Sequence, residues 1–460
     1  ILSSEKRRDM IKSAVAEHAA SLGGRPVEDD ALLDEVTHIV EWPVALLASF
    51  EAELLELPRQ AVVTPMRVHQ RYFPIENDAG ELLPNFVVVA GSETTNPEVV
   101  AKGNARVLRA RLADARFFYE NDLKKPLEDF LPALETRIWL AKLGSVRAKV
   151  DRIVQLVKSM GGNDNAQRAA LLCKADLATE MVGEFAKLQG EMGRVYSREH
   201  GEAEEVAAAV YEHYLPRHAT DSLPTTLAGT YVALADRVDS IVGCFGIGLK
   251  PTGSKDPYAL RRQCIGVVNI LRNTDFDIPV DIVQWLDAAI AGYGEQIDSS
   301  CRDAILEFVA ERTRFMLRET LPVDVVDAVV GVDATRPQAV YGKIGALSVL
   351  RQGGGLEPIL TTFKRVANIT KDANGAQGLN SALLLEPAEK ALFSSYEKSR
   401  DEVANSVDTG AYDRAVALMA ELRPLVDTFF EDVLVMAEDA QLRNARLGLL
   451  VAIRDLFGGI

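Results

Sequence analysis

The chain has 460 residues, 48% of them hydrophobic, which is enough for two to four ordinary domains with separate cores and excludes a disordered or fibrous protein. With 51 Lys and Arg against 67 Asp and Glu the net charge is −16, so the molecule as a whole repels phosphate and at first sight argues against nucleic acid. Net charge is an average, however, and binding is done by patches.

The chain opens on Ile1 rather than methionine and enters a charged helical pattern at once, so we expect a preceding portion to be missing. Glu5, Lys6, Arg7, Arg8 and Asp9 leave no room for the apolar core of a signal peptide, and no run approaches the roughly 18 apolar residues of a membrane span. A soluble, cytoplasmic protein is expected. Residues 1–57 read as helices, with Leu32, Leu33, Val36 and Ile39 at helical spacing and Pro43 as a break. Val62 and Val63, Val68 to Phe73 and Phe86 to Ala90 read as short strands, with turn chemistry in Glu76, Asn77, Asp78, Ala79 and Gly80. From about residue 98 the sequence is rich in Ala and Leu and is divided into helix-sized pieces. Gly161 to Asn165 reads as a loop, and Arg351 to Pro358 as a hinge. The fold class that follows is mainly α and multidomain, with a small α+β segment near the N-terminus. Cys173, Cys244, Cys264 and Cys301 form no C-x-x-C pair, so neither a zinc site nor a disulfide framework is suggested.

The charge is unevenly spread. Residues 101–150 hold 11 Lys and Arg against 6 Asp and Glu, a local +5. On a helical wheel Lys102, Arg106, Arg109 and Arg116 fall within roughly 80°, with Lys124 and Lys125 just beyond. Arginine favours phosphate because its guanidinium binds two oxygens at once; the competing reading is a solvated face paired with Asp114 and Glu120. A second basic group, Lys250, Lys255, Arg261 and Arg262, surrounds Lys250-Pro251-Thr252-Gly253-Ser254-Lys255-Asp256-Pro257. This is not a P-loop, because the order and context are wrong. It reads as a turn feeding a helix that starts at Pro257, capped by Ser254 or Asp256, with N–H groups free to receive a phosphate.

Three stretches around Lys149, Cys173-Lys174 and Asp236 resemble the skeleton of the HD superfamily of phosphohydrolases, whose His, His-Asp and Asp positions hold a divalent metal. Here Lys149, Cys173, Lys174 and Asp236 stand at those positions, so three of four ligands are missing and two are ammonium groups that repel a cation. An HD-like scaffold without metal is expected, with lysines free to face RNA phosphate. His200, His213 and His218 do not share a helix face and read as ordinary structure.

Longer strings are more specific. Met66 to Pro74, Gly80 to Phe86, Gly103 to Phe118, Lys174 to Gly193 (KADLATEMVGEFAKLQGEMG), Pro251 to Arg262 (PTGSKDPYALRR) and Phe429 to Phe457 together resemble the β subunit of the bacterial heterotetrameric glycyl-tRNA synthetase, in order and over essentially the whole chain. That resemblance implies a tRNA-recognition subunit that works with a catalytic α subunit, as α2β2, to attach glycine to tRNA(Gly). No catalytic residue and no metal site is expected in this chain; ATP and Mg are used through the α subunit, and neither DNA nor membrane is a partner. The implied domains are an α+β body segment with the basic helix (1–130), an HD-like helical domain with a helical linker (131–345), and a helical, DALR-like anticodon-binding domain (346–460) similar to that of arginyl-tRNA synthetase. Arg443, Arg446 and Arg454 lie within roughly 80° on the last helix and are the expected anticodon contacts. Because residues 385–440 carry 13 acidic against 5 basic side chains, recognition there should rest on base contacts rather than a positive field. A metal-dependent HD phosphohydrolase and a non-catalytic scaffold for the α subunit are the alternative readings.

Overall fold

The structure, a computed structural model, describes residues 3–371 and 379–458. Most of it is helical, with one four-stranded antiparallel sheet near the front, in line with the expected mainly α class. It divides into two compact units, residues 1–239 with 291–296 and residues 240–290 with 297–460.

In the first unit the strands are β1 (Arg25–Pro26), β2 (Val44–Ser49), β3 (Phe73–Glu76) and β4 (Leu82–Ala90), in the order β1-β3-β4-β2. The β3–β4 turn closes where Asn77 N–H donates to the Glu81 carbonyl at 2.9 Å, with Gly80 at φ +80°. Two helices, Ser4–Ala20 and Asp30–Ile39, are capped by the side chains of Ser3 and Asp29 and lay Ile11, Val15, Leu33 and Val36 on Phe73, Ile75 and Val87. Tyr72 stacks on Phe86 with ring centroids 4.6 Å apart, and its hydroxyl donates to Asn104 Oδ1 at 2.7 Å, which ties helix Pro97–Asp122 to the sheet region. That helix buries Leu108 and Leu112 completely, each contributing about 1.5–3 kcal/mol, and so fixes which face its cations present.

Two expectations are corrected. Val62 and Val63 lie in a helix, Arg59–Thr64, continued by a wider helical turn at Pro65–Gln70, so of the strand expected from Val68 to Phe73 only Phe73 is in one; both valines are buried, and burial outweighs their β-preference. Conversely, residues 1–57 are not all helical, because β1 and β2 lie among them. Val44-Ala45-Leu46-Leu47-Ala48 is an apolar run without alternation, which periodicity cannot assign to strand or helix.

The rest of the first unit is built from helices Val146–Ser159, Asp164–Leu172, Glu191–Glu199 and Glu204–Glu212, together with residues 227–239 of helix Leu227–Gly246. In the second unit, helices Leu356–Ile369, Pro387–Asp408, Tyr412–Asp432 and Ala440–Phe457 share a core that includes Leu392, Leu422, Phe429, Leu449 and Leu450. The three glycines Gly353 to Gly355 make a tight turn between Pro337–Gln352 and Leu356–Ile369, with Gly354 at φ +72°. Position 346 falls inside helix Pro337–Gln352 and position 130 inside the 3-10 stretch Leu127–Glu135.

Candidate nucleic-acid interface and buried ionic cluster

The basic helix Pro97–Asp122 divides into two halves by the company its cations keep. Lys102 and Arg106 are exposed and make no ion pair among the described residues. Arg109 pairs with Glu51 at 2.7 Å and Arg116 with Glu120 at 2.8 Å. Lys124 donates to Asn121 Oδ1 at 2.7 Å, and the Lys125 ammonium sits 4.0 Å from the centre of the Phe130 ring. Lys102, Arg106 and Arg109 form one wall of a groove of about 650 Å³ whose other wall includes β2 and His18. Strand β2 is an edge strand, and the Ala45 carbonyl lies 3.2 Å from His18 Nε2.

The second basic group is organised by Asp256. The helix there runs Leu260–Asn273, not from Pro257, and the Asp256 carboxylate accepts the Leu260 and Arg261 N–H groups at 2.8 and 3.0 Å. These two N–H groups are therefore not free for a phosphate, which corrects the expectation of an open helix start. Arg261 donates to the Gly253 carbonyl at 2.8 Å and holds the turn. Lys250 lies 5.9 Å from the Phe245 ring centre, while Lys255 and Arg262 are exposed without an ion pair among the described residues.

Lys149, Cys173, Lys174 and Asp236, the positions compared above with the HD skeleton, lie together in the interior of the first unit. Lys149 contacts Asp236 Oδ1 and Asp239 Oδ2, both at 2.9 Å. Lys174 donates to Asp236 Oδ2 at 2.8 Å, and its Nζ lies 2.8 Å from His213 Nε2. Arg152 pairs with Asp239 at 2.7 Å and lies over the Tyr293 ring at 4.2 Å; Trp139 and Tyr214 cover the two ammonium groups at 4.4 and 4.3 Å. His213 Nδ1 lies 2.7 Å from the Val210 carbonyl. Donation there leaves Nε2 as an acceptor for Lys174.

The electrostatics follow from this packing. Burial would raise the Asp236 carboxyl, but Lys149 and Lys174 outweigh it and hold it well below the usual carboxylate range. Burial and Lys174 push His213 well below its ordinary value, so it stays neutral. Burial above all carries the Cys173 thiol up to about 12 and the Asp176 carboxyl up to about 6, the latter despite the Gly190 N–H it accepts.

This corrects the expectation that Lys149 and Lys174 face RNA phosphate: both are buried and committed to carboxylates. The donor set also fails to fit a metal, because two ammonium groups already occupy Asp236's oxygens and repel a cation. Among the described residues no group of three His, Cys, Asp or Glu is arranged to hold one. His213, which the sequence reads as ordinary structure, is a full member of the cluster. The signal that finds it lies in three dimensions, since it is 39 residues from its partner Lys174.

The last helix is corrected in part. Arg446 is buried, ion-paired with Glu389, and donates to the Leu434 carbonyl at 2.8 Å. Its sector of the helix faces inward with Leu450, so it is not an RNA contact. Arg443 donates to the Ala437 carbonyl at 3.0 Å and Arg454 to the Thr370 carbonyl at 3.1 Å, which leaves both only half-buried.

Comparison with known proteins gives these features a family. Residues 1–331 match the family model described as glycyl-tRNA synthetase beta subunit, and residues 359–459 match the DALR anticodon binding domain. The chain belongs to the glycyl-tRNA synthetase beta subunit family. It is 42% identical to a glycine–tRNA ligase beta subunit of Pseudomonas aeruginosa over 99% of this chain and 68% of that protein. Similar beta subunits from Desulforamulus reducens and Geotalea uraniireducens are 42% and 41% identical, over 66% and 67% of their lengths. The chain thus spans about two thirds of these relatives. Among its described residues no helix is long and apolar enough to cross a membrane.

Proposed function

We propose that this chain is the tRNA-recognising subunit of a cytoplasmic glycine–tRNA ligase and works with a catalytic α subunit in an α2β2 assembly. The observation that carries this reading is the succession of a beta-subunit match over residues 1–331 and an anticodon-binding match over 359–459 in one chain. In this reading ATP and Mg are used through the α subunit, and the beta chain's part is to bind and orient tRNA(Gly). Lys102, Arg106 and Arg109, with Lys124 and Lys125, contact phosphates of the acceptor or an arm, as do Lys250, Lys255 and Arg262 around the turn held by Arg261. Arg116 lends its charge from within an ion pair. The helices of residues 359–459 meet the anticodon. The HD-like cluster serves as an internal scaffold.

Electrostatic binding of this kind has a measurable signature. Neutralising Lys102, Arg106 and Arg109 together should weaken tRNA binding and flatten the dependence of log K on log salt by roughly 0.7–0.9 for each phosphate left without a cation. Unchanged affinity and slope would remove the helix from the interface.

A further inference from the structure

Between helices Tyr412–Asp432 and Ala440–Phe457 the chain forms a short connection that bends at Val435, Met436, Glu438 and Asp439, and its side chains alternate between buried and exposed. Val433, Val435 and Ala437 are buried in or beside the helical core, whereas Leu434 and Met436 are 73% and 57% exposed. Leucine and methionine are among the side chains most often buried; here two stand exposed two residues apart on one loop. The backbone beneath them is fixed from below. Arg446, held by the buried Glu389, donates to the Leu434 carbonyl, Arg443 donates to the Ala437 carbonyl, and Val433 N–H donates to the Phe429 carbonyl at 3.0 Å. Asp439 closes the segment by capping the following helix. The two apolar side chains are therefore presented by a preorganised loop.

The flanking charge decides what such a loop can receive. Glu431, Asp432 and Glu438 are exposed and make no ion pair among the described residues. A carboxylate-flanked apolar surface repels phosphate but suits an unstacked base, which offers an apolar face and, in cytosine, an exocyclic amino donor that Glu or Asp accepts. Every glycine codon begins with two guanosines, so the complementary anticodon carries two adjacent cytosines.

We infer that the loop 434–438 reads the anticodon cytosines, with Leu434 and Met436 packing on the base faces and Glu438 accepting from an exocyclic amino group. Arg443 and Arg446 act as positioning residues that hold the loop's carbonyls. The inference rests on the anticodon-binding reading of residues 359–459, and it accounts for the local excess of acid in that region.

The test uses the full chain and two tRNA(Gly) transcripts, one natural and one with both anticodon cytosines replaced by uracil, with binding measured at a fixed salt concentration. The parent should prefer the natural transcript by about tenfold or more. Glu438→Gln should lose most of that preference while binding the uracil transcript as the parent does, whereas Leu434→Ser/Met436→Ser should weaken both transcripts, because uracil offers the same kind of face; both variants should melt at the parent's temperature. Arg443→Gln should lose preference in the same way, without a change in affinity for the uracil transcript. A parent that binds both transcripts equally overturns the anticodon-reading itself, and the loop's role with it. A discriminating parent whose Glu438→Gln variant discriminates equally, or whose Leu434→Ser/Met436→Ser variant binds both transcripts as the parent does, overturns the loop assignment alone. A Leu434→Ser/Met436→Ser variant that keeps its tRNA affinity but loses association with the α subunit would assign the apolar pair to a protein contact and also overturn it.

Discussion

Replacing Asp236 by Asn tests the claim that carboxylate pairing holds the buried cluster together. In the parent, Lys149 and Lys174 share Asp236, while Arg152 and Lys149 share Asp239. Counting Lys149, Arg152 and Lys174 against Asp236 and Asp239, with His213 neutral, the cluster carries +1; Asp236→Asn raises it to +2 with Lys174 left without a carboxylate. Breaking a buried pair in this way costs about 3–5 kcal/mol. At about 2–4 °C per kcal/mol for a unit of this size, the melting temperature should fall by roughly 6–20 °C. The triple variant Lys149→Met/Lys174→Met/Asp236→Leu leaves Arg152 and Asp239 as a balanced pair and should lie within about 2 kcal/mol of the parent, because well-packed apolar replacements of a buried ionic group are often close to neutral. Calorimetry of the three proteins at a pH of about 7.5, where His213 is neutral in both the folded and the unfolded chain, decides. A single variant that melts within about 2 °C of the parent, or a triple variant less stable than the single, refutes the argument that pairing governs this cluster.

The pH dependence isolates His213. Its folded pKa is depressed, so its contribution is present above the unfolded value of about 6.5 and is lost as pH falls below it; between pH of about 6.5 and about 5.5 the parent should lose about 1 kcal/mol relative to His213→Gln, measured by urea unfolding. Asp176 has the opposite sign. Its carboxyl is raised to about 6 by burial, so its cost is fully present above that value and is relieved as pH falls towards the unfolded value of about 3.9; Asp176→Asn should flatten the acid side of the same urea profile. On the basic helix, Lys102→Ala/Arg106→Ala should reduce the salt dependence of tRNA binding more than Arg109→Ala/Arg116→Ala, since the second pair is already engaged by Glu51 and Glu120; equal effects in filter binding would show that ion pairing in the free protein is irrelevant to the interface. Asp256→Ala should cost about 0.5–2 kcal/mol, read as faster hydrogen exchange at Leu260 and Arg261.

Local chemistry determines what is legible in the sequence. The helical character of most of the chain, strand β4 and the Asn77–Gly80 turn follow from periodicity and turn residues, and the long strings carry the family resemblance. What escapes depends on tertiary burial. Val62 and Val63 are helical because that segment buries them; β2 has no alternation to reveal it. A helical wheel groups Arg443, Arg446 and Arg454 but does not say which way their sector points, and Leu450, fully buried in that same sector, is the residue that turns it inward. Likewise Lys149, Lys174 and Asp236 are far apart in the sequence but in contact in the structure, while Asp239 and His213, which the sequence does not single out as their partners, supply the countercharge and the acceptor that settle the cluster's chemistry.

The same distinction sharpens the meaning of the −16 charge. Of the basic side chains expected at the interface, Arg109, Arg116, Arg446 and Arg454 are ion-paired within the chain, and Asp256 takes the helix N–H groups beside Arg261. The expected interface cations left without an ion pair among the described residues include Lys102, Arg106, Lys124, Lys125, Lys255, Arg261, Arg262 and Arg443, in short groups along the chain. Non-specific affinity scales with the number of phosphates neutralised, so these short groups in an acidic chain should each bind RNA weakly and gain strength only where several meet phosphate at once. A folded tRNA meets that condition through its shape. Random single-stranded RNA of equal length, compared with tRNA(Gly) at the same salt, should therefore bind much more weakly and with a smaller salt slope; equal binding would mean that the acidic surroundings do not select.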